Sequence, residues 1–190
     1  MKLGGSLHHR VPEIVPLLCK SERPLLVVPG GGIFADAVRM ARVADDAAHC
    51  MAIAAMEQYG WFIASQGMET TDRLSVPEKS AVFLPYTSMR LRDPLPHSWN
   101  ITSDSIAAWV AAELGMELLI LKSVDGISLN GILQEQVTIP IENDVVDPFF
   151  IPFVLKHRIK TTIINGKSGD SIEKILKDEP VPCTRIGITF

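Results

Sequence analysis

Little in this sequence would assign its class at a glance, and each shortage excludes something. Its three cysteines, Cys19, Cys50 and Cys183, are odd in number, far apart and outside any C-x-x-C spacing. That argues against a disulfide framework or a metal–thiolate site and fits reduced thiols in a cytoplasmic protein. No apolar run approaches the ~18 residues of a membrane span, and no basic-then-apolar leader opens the chain, so neither export nor membrane insertion is expected. Positive charge is not in excess. Eighteen Lys and Arg against 22 Asp and Glu leave a net charge of −4, which disfavours broad binding to nucleic acid or to an anionic membrane. Any anionic ligand must therefore be held by a local site. No G-x-G-x-x-G follows a strand-like run. Gly166-Lys167-Ser168 resembles the end of a P-loop, but Thr161 stands where that loop needs its first glycine. The five histidines, His8, His9, His49, His97 and His157, show no H-E-x-x-H or comparable ligand spacing, so no metal site is expected.

What is present is an apolar chain with regular alternation. With 47% hydrophobic residues over 190 positions, it can bury a sizeable core, and it is read as one domain spanning residues 1–190. Strands are expected at 24–28, 61–65, 81–85, 117–122, 161–165 and near 185–189, with helices between them. The expected helices cover 33–44, 47 to about 59, 102 or 103 to Gly115, and 170–177. Residues 86–100 read as a loop and 130–147 as a hairpin or lid. Met1-Lys2-Leu3 leaves so little room before Gly4 that the first strand is either very short or begins upstream. Strands separated by helices imply a mainly parallel sheet covered on both faces. Ligands gather in such sheets where strand carboxyl ends meet helix amino ends.

Four segments offer chemistry at such ends. Lys2-Leu3-Gly4-Gly5-Ser6 combines close backbone N–H groups, a hydroxyl and a cation. Gly30-Gly31-Gly32, between a strand and a helix, provides a second anion cradle with a helix dipole behind it. Two such turns at successive strand ends suggest two facing anion sites, the parts that transfer between two anions requires. Asp104, in the first turn of a helix, reads either as ordinary capping or as the group that aims the lysines. Lys122-Ser123-Val124-Asp125-Gly126 reads either as a surface turn or as backbone offered to a nucleotide.

In their order along the chain, these segments resemble the amino acid kinase family, which includes acetylglutamate, aspartate, uridylate, carbamate and isopentenyl phosphate kinases. The K-x-G-G-S opening corresponds to Lys2, Gly4, Gly5 and Ser6, the G-G-G turn to Gly30–Gly32 and the T-x-D helix start to Thr102–Asp104. The V-D-G turn corresponds to Val124–Gly126 and a late N-G turn to Asn165-Gly166. The resemblance implies a three-layer αβα sandwich, an ATP-dependent phosphotransferase using Mg²⁺, and a homo-oligomer. It assigns Lys2, Asp104 and Lys122 to catalysis, and Gly4, Gly5, Ser6, Ser123, Asp125 and Gly126 to the nucleotide. Gly30, Gly31, Gly32 and Asn100 would hold the acceptor. The chain also departs from the family. Its lysine precedes Ser123 instead of following it as in T-K-V-D-G, Cys183 replaces a usual glycine, and the G-M-x-x-K lysine has no counterpart, leaving Lys122 or Lys167 to replace it.

Residues 32–39, 45–60 and 93–100 are similar to a small-kinase subgroup of methanogens and of methylotrophs with methanofuran-type coenzymes. That similarity implies a phosphorylated acceptor, (5-(aminomethyl)furan-3-yl)methyl phosphate, converted to its diphosphate. Arg39, Arg90 or Arg92 would take the acceptor phosphate, Trp99, Phe34 or Tyr59 the ring, and Asp45, Asp46 or Glu57 the ammonium. The alternatives are a nucleoside monophosphate kinase acting on UMP and a non-catalytic anion-binding member of the fold.

Overall fold

A computed structural model describes residues 1–187, the Asp45 side chain excepted. The strands are β1 (Lys2–Leu3), β2 (Leu26–Pro29), β3 (Glu69–Thr71), β4 (Ala81–Phe83), β5 (Leu118–Lys122), β6 (Ser128–Leu129), β7 (Ile132–Leu133), β8 (Gln136–Val137), β9 (Thr161–Asn165) and β10 (Cys183–Ile186). The helices are α1 (Val11–Cys19), α2 (Gly32–Ala41), α3 (Asp45–Ala64), α4 (Tyr86–Arg92), α5 (Ser103–Leu114), α6 (Phe150–Lys156) and α7 (Gly169–Leu176). A 3₁₀ helix, Gly5–Arg10, joins β1 to α1.

Eight strands form one sheet in the order β3-β4-β2-β1-β5-β9-β10-β8. The remaining two, β6 and β7, form a hairpin. Every pairing in the large sheet is parallel except β9–β10. Side chains alternate between its two faces as strand geometry requires. Leu26, Val28, Leu118, Ile120 and Ile163 enter one core with α5 and α6, while Val27, Leu121 and Ile164 enter the other with α1 and α7. This is the expected αβα sandwich. From β1 the chain moves to β2 on one side and later returns to β5 on the other. β1 is therefore the switch point at which an open parallel sheet leaves a crevice.

Local chemistry accounts for most boundaries. Thr102 Oγ1 accepts the Asp104 N–H at 3.3 Å to begin α5, and Gly115, at φ +60°, ends it. Residues 61–65, expected as a strand, are the last turns of α3. The short apolar run carries no period of its own, but the buried residues Ile53, Met56, Tyr59 and Ile63 continue a helical spacing across it. The expected loop at 86–100 begins instead with α4, whose first N–H groups lack a local cap; the Glu57 carboxylate accepts the Tyr86 N–H from α3 at 2.9 Å. Helix α1 went unanticipated because Pro12 and Pro16 mask it. Pro12 sits in its first turn, and a proline there loses no helical bond. The final strand occupies Cys183–Ile186; the expected extension to Thr189 lies outside the described residues.

Candidate active site

Strands β1 and β2 are parallel neighbours, with Leu3 opposite Pro29, so their glycine turns emerge side by side. The Gly4 N–H donates to Leu121 O at 3.2 Å and the Gly30 N–H to Leu3 O at 2.9 Å, which holds both turns to the sheet. The turns touch each other. A Cβ on Gly5 would collide with the backbone N and Cα of Gly32, and one on Gly30 would collide with Gly5 N. The expectation of two facing anion sites is therefore corrected: adjacent strands lie ~4.8 Å apart, and the turns merge into one cradle. Gly5, Ser6, Gly31 and Gly32 lie at the amino ends of the 3₁₀ helix and α2. Their N–H groups have no acceptor among the described residues. Beneath them, the Tyr59 ring packs against Gly32 and its hydroxyl donates to Gly4 O at 3.3 Å. Burial pushes that hydroxyl's pKa upward.

The charged floor lies beside this cradle. Lys2 and Asp104 are each only 3% exposed. Lys2 Nζ stands 2.6 Å from Asp104 Oδ1, an ion pair outside hydrogen-bond angles, while Lys122 Nζ donates to Oδ2 at 2.6 Å. One carboxylate thus bridges two ammonium groups delivered by β1 and β5. Burial alone would raise the Asp104 pKa, but Lys2 and then Lys122 outweigh it and hold the carboxyl below its ordinary value. Lys122 is lowered to about 8, chiefly by burial and next by Lys2, with Asp104 opposing. A lysine titrating this near neutrality in a cleft is a candidate functional group.

Above the floor opens a crevice of ≈ 800 Å³. Gly4, Gly5, Ser6, Gly31 and Gly32 line one wall, and Thr102, Ser103 and residues 144–148 line another. An apolar side pocket of ≈ 70 Å³ joins it at Gly31, Arg39 and Trp99, and continues to His49, Ile53 and Met56 of α3. Arg39 stands over the Trp99 ring at 5.3 Å and pairs with Asp36 at 2.7 Å. At the outer end, His97 contacts Asp46 through Nδ1 at 2.7 Å and Asp93 through Nε2 at 2.8 Å. Only an imidazolium can donate to both carboxylates. These hydrogen bonds hold its pKa above the ordinary value. His97 also stacks on His49 at 4.0 Å. His49, Asp93 and His97 offer three ligand atoms within 4.8 Å of one another, an arrangement hidden in the sequence because His49 lies more than forty positions from the other two. The two stacked rings direct their in-plane lone pairs along similar planes, which does not favour a shared ion.

The candidate residues are thus sorted by place. Lys2, Asp104 and Lys122 meet. Gly4, Gly5, Ser6, Gly31 and Gly32 line the crevice, whereas Gly30, Asn100, Ser123, Asp125 and Gly126 do not. Asp125 accepts from Asn165 Nδ2 at 3.0 Å, and Gly126 packs against Thr184 of β10. Lys167 is exposed and outside the crevice. Arg92 is paired to Glu113, Glu57 to the Tyr86 N–H and Asp46 to His97. Arg90 is exposed and Phe34 packs beside the core. Asp45's side chain lies outside what is described. Thr102 and Ser103, read from the sequence only as the start of a helix, also line the site, as does Asp147, which the sequence did not single out. Asp147 sits in an irregular stretch, and only its neighbour Pro148 marks it.

No protein-family model matches the chain. It is 27% identical to [5-(aminomethyl)furan-3-yl]methyl phosphate kinase of Methanocaldococcus jannaschii, covering 98% of this chain and 96% of that protein. The similarity read from residues 32–39, 45–60 and 93–100 thus extends along nearly the whole sequence. Among solved structures, uridylate kinase of Archaeoglobus fulgidus superposes with a TM-score of 0.71 at 18% identity, covering 98% of this chain and 99% of that one. UMP kinase of Ureaplasma parvum gives 0.75 at 17% identity, with coverage of 98% and 96%. Isopentenyl phosphate kinase gives 0.60 at 16%, with coverage of 97% and 98%. The fold is the one these proteins share.

Proposed function

We propose that this phosphotransferase of the amino acid kinase family moves the γ-phosphoryl group of ATP onto the phosphate of a small ring-bearing ester, [5-(aminomethyl)furan-3-yl]methyl phosphate, in methanofuran-type coenzyme synthesis. The observation that carries the reading is the Lys2–Asp104–Lys122 bridge at the floor of a glycine cradle. An acceptor phosphate oxygen attacks Pγ, the bond from Pγ to the β–γ bridging oxygen breaks, ADP leaves, and the acceptor becomes a diphosphate. The attacking oxygen carries no proton to remove, so no general base is needed. The barrier is electrostatic, and donors fixed where charge develops lower it.

The residues divide that work. Lys2 and Lys122 neutralise the transferring group, and Asp104 keeps both ammonium groups in place. The N–H groups of Gly5, Ser6, Gly31 and Gly32 hold phosphate oxygens, which fits a cradle that admits no Cβ. Mg²⁺ would arrive with ATP and spread the charge of its β and γ oxygens, with Asp144 on the crevice wall as a nearby carboxylate. The side pocket with Trp99 suits the acceptor's ring and Arg39 its phosphate. Among the described residues no carboxylate lines that pocket, and the acceptor's ammonium is assigned to the crevice mouth, near Asp36 or Asp144. The assembly is taken to be a cytoplasmic homo-oligomer built from a single domain. Among the described residues, no helix is long and apolar enough to cross a membrane.

The test is turnover with Mg-ATP and, separately, the furan phosphate, UMP and isopentenyl phosphate, following ADP. Transfer to the furan phosphate is expected; transfer to UMP alone would overturn the acceptor assignment. Lys2→Ala should lower kcat by about 10²–10³-fold while ATP binding by calorimetry stays within a few fold.

A second expected outcome concerns pH. Transfer should decline above about pH 8 as Lys122 loses its proton. Stability moves oppositely. The folded-state pKa of Lys122 lies below the unfolded value of ~10.4, so the unfolded chain binds more protons between the two values. Lys122's contribution therefore favours the fold increasingly as pH rises through that window. Parallel rate and chemical-denaturation profiles from pH 7 to 10 check both signs.

A further inference from the structure

Asp104 can bridge two lysines only if the first turn of α5 presents it at the right angle. That turn is held from outside by one carboxylate. Asp147, which precedes Pro148 in the segment between β8 and α6, is 7% exposed. Its Oδ2 accepts from Thr102 N at 3.0 Å, Thr102 Oγ1 at 2.8 Å and Ser105 N at 3.2 Å. Its Oδ1 accepts from Ser105 Oγ at 2.5 Å. The residues so gripped, 102 and 105, flank Asp104. Thr102 also caps its own helix, but through the longer 3.3 Å contact to Asp104 N. The stronger cap is supplied by Asp147, four charge-assisted bonds to a helix amino end.

Two consequences follow from that placement. The amino end of α5, which would otherwise attract a phosphate, is filled by a built-in anion, so phosphate is directed to the glycine cradle. Asp147 also stands near Lys122, and its charge favours the ammonium form. The groups facing Lys122 are then Lys2 from β1, Asp104 from α5, and Asp147 from the loop before α6.

We propose that Asp147 is a positioning residue for phosphoryl transfer, acting through Thr102 and Ser105 to aim Asp104 between Lys2 and Lys122. This rests on the kinase reading, so wild-type turnover with Mg-ATP and the furan phosphate is established first; its absence sinks that reading and not the geometry of Asp147. Asp147→Asn keeps the shape but sets an amide where N–H groups point. The expected result is a 10- to 100-fold fall in kcat, KM values for both substrates within about threefold, and an alkaline limb displaced to lower pH. Since the effect passes through Asp104, Asp147→Asn added to an Asp104→Asn background should change kcat less than threefold although stability losses accumulate. A lowered melting temperature with kcat and the alkaline limb unchanged below it would make Asp147 a purely structural cap. Full additivity of kcat losses in the double variant would also overturn the proposal. If Asp147→Asn does not fold, Ser105→Ala loosens the grip less severely, by deleting the Oγ bond alone. It should lower kcat by about 3- to 10-fold with KM preserved, and an unaltered kcat there would refute the idea.

Discussion

Asparagine at position 104 is expected to lower kcat by about 10²–10³-fold and to weaken the fold by about 3–5 kcal/mol. The two losses share one cause. Lys2 and Lys122 are held in a largely buried site by a single carboxylate at 2.6 Å from each. An amide of the same shape leaves two ammonium groups repelling each other with little water to screen them. It also presents an NH₂ group that can only oppose one of them. Steady-state kinetics and urea unfolding at pH 7 measure the two effects. The carboxyl titrates below its ordinary value in the fold, so its contribution is complete at neutral pH. That contribution fades as pH falls through the folded-state value, and the difference between wild type and variant should shrink there. Kinetics within tenfold of wild type would mean that the lysines find their places without the bridge.

A single methyl group at Gly5 should be nearly as damaging. The Cβ of Gly5→Ala would fall on the backbone N and Cα of Gly32, and neither atom can rotate away as a side chain could. Relief requires β1 and β2 to separate or α2 to shift, at a cost of at least about 3 kcal/mol. Either movement spoils the cradle, so ATP affinity and turnover should fall together. Gly131→Ala is the informative comparison. Gly131 has φ +78° and nothing within 4 Å of its would-be Cβ, so it should cost only the ~1–2 kcal/mol of left-handed backbone. Denaturant midpoints for the pair compare backbone strain with backbone collision; equal losses would refute the direct contact between the turns.

These two sites also mark what the amino-acid order revealed. Lys2, the glycine turns, Asp104 and Lys122 were legible because strand ends, caps and turn residues each carry a local signature. A mainly parallel sheet brings such ends to one edge. Strands β5 and β9 were equally plain, being short apolar runs bounded by polar turns. What escaped notice depends on distant partners. Helix α4 is capped by Glu57, twenty-nine positions away. Asp147 reaches back forty-five positions to Thr102. His49 and His97 meet only because α3 passes the loop after α4. The end of α3 was misread for another reason: over five residues an apolar run looks alike in strand and helix, and only its phase with Met56 and Tyr59 distinguishes them. That the glycine turns abut was hidden too, because turn composition does not reveal strand order.

Tyr59 gives the architecture one more property. Its ring supports the second glycine turn and its hydroxyl the first, while earlier along the same helix Ile53 and, one turn before the tyrosine, Met56 line the ring-sized recess. A stiff rod therefore runs from where an acceptor's body would lodge to the seat of its phosphate. A misfitting guest that pushes on one end of that rod disturbs the other, so selectivity for the body of the molecule is expressed in the alignment of its reacting oxygen.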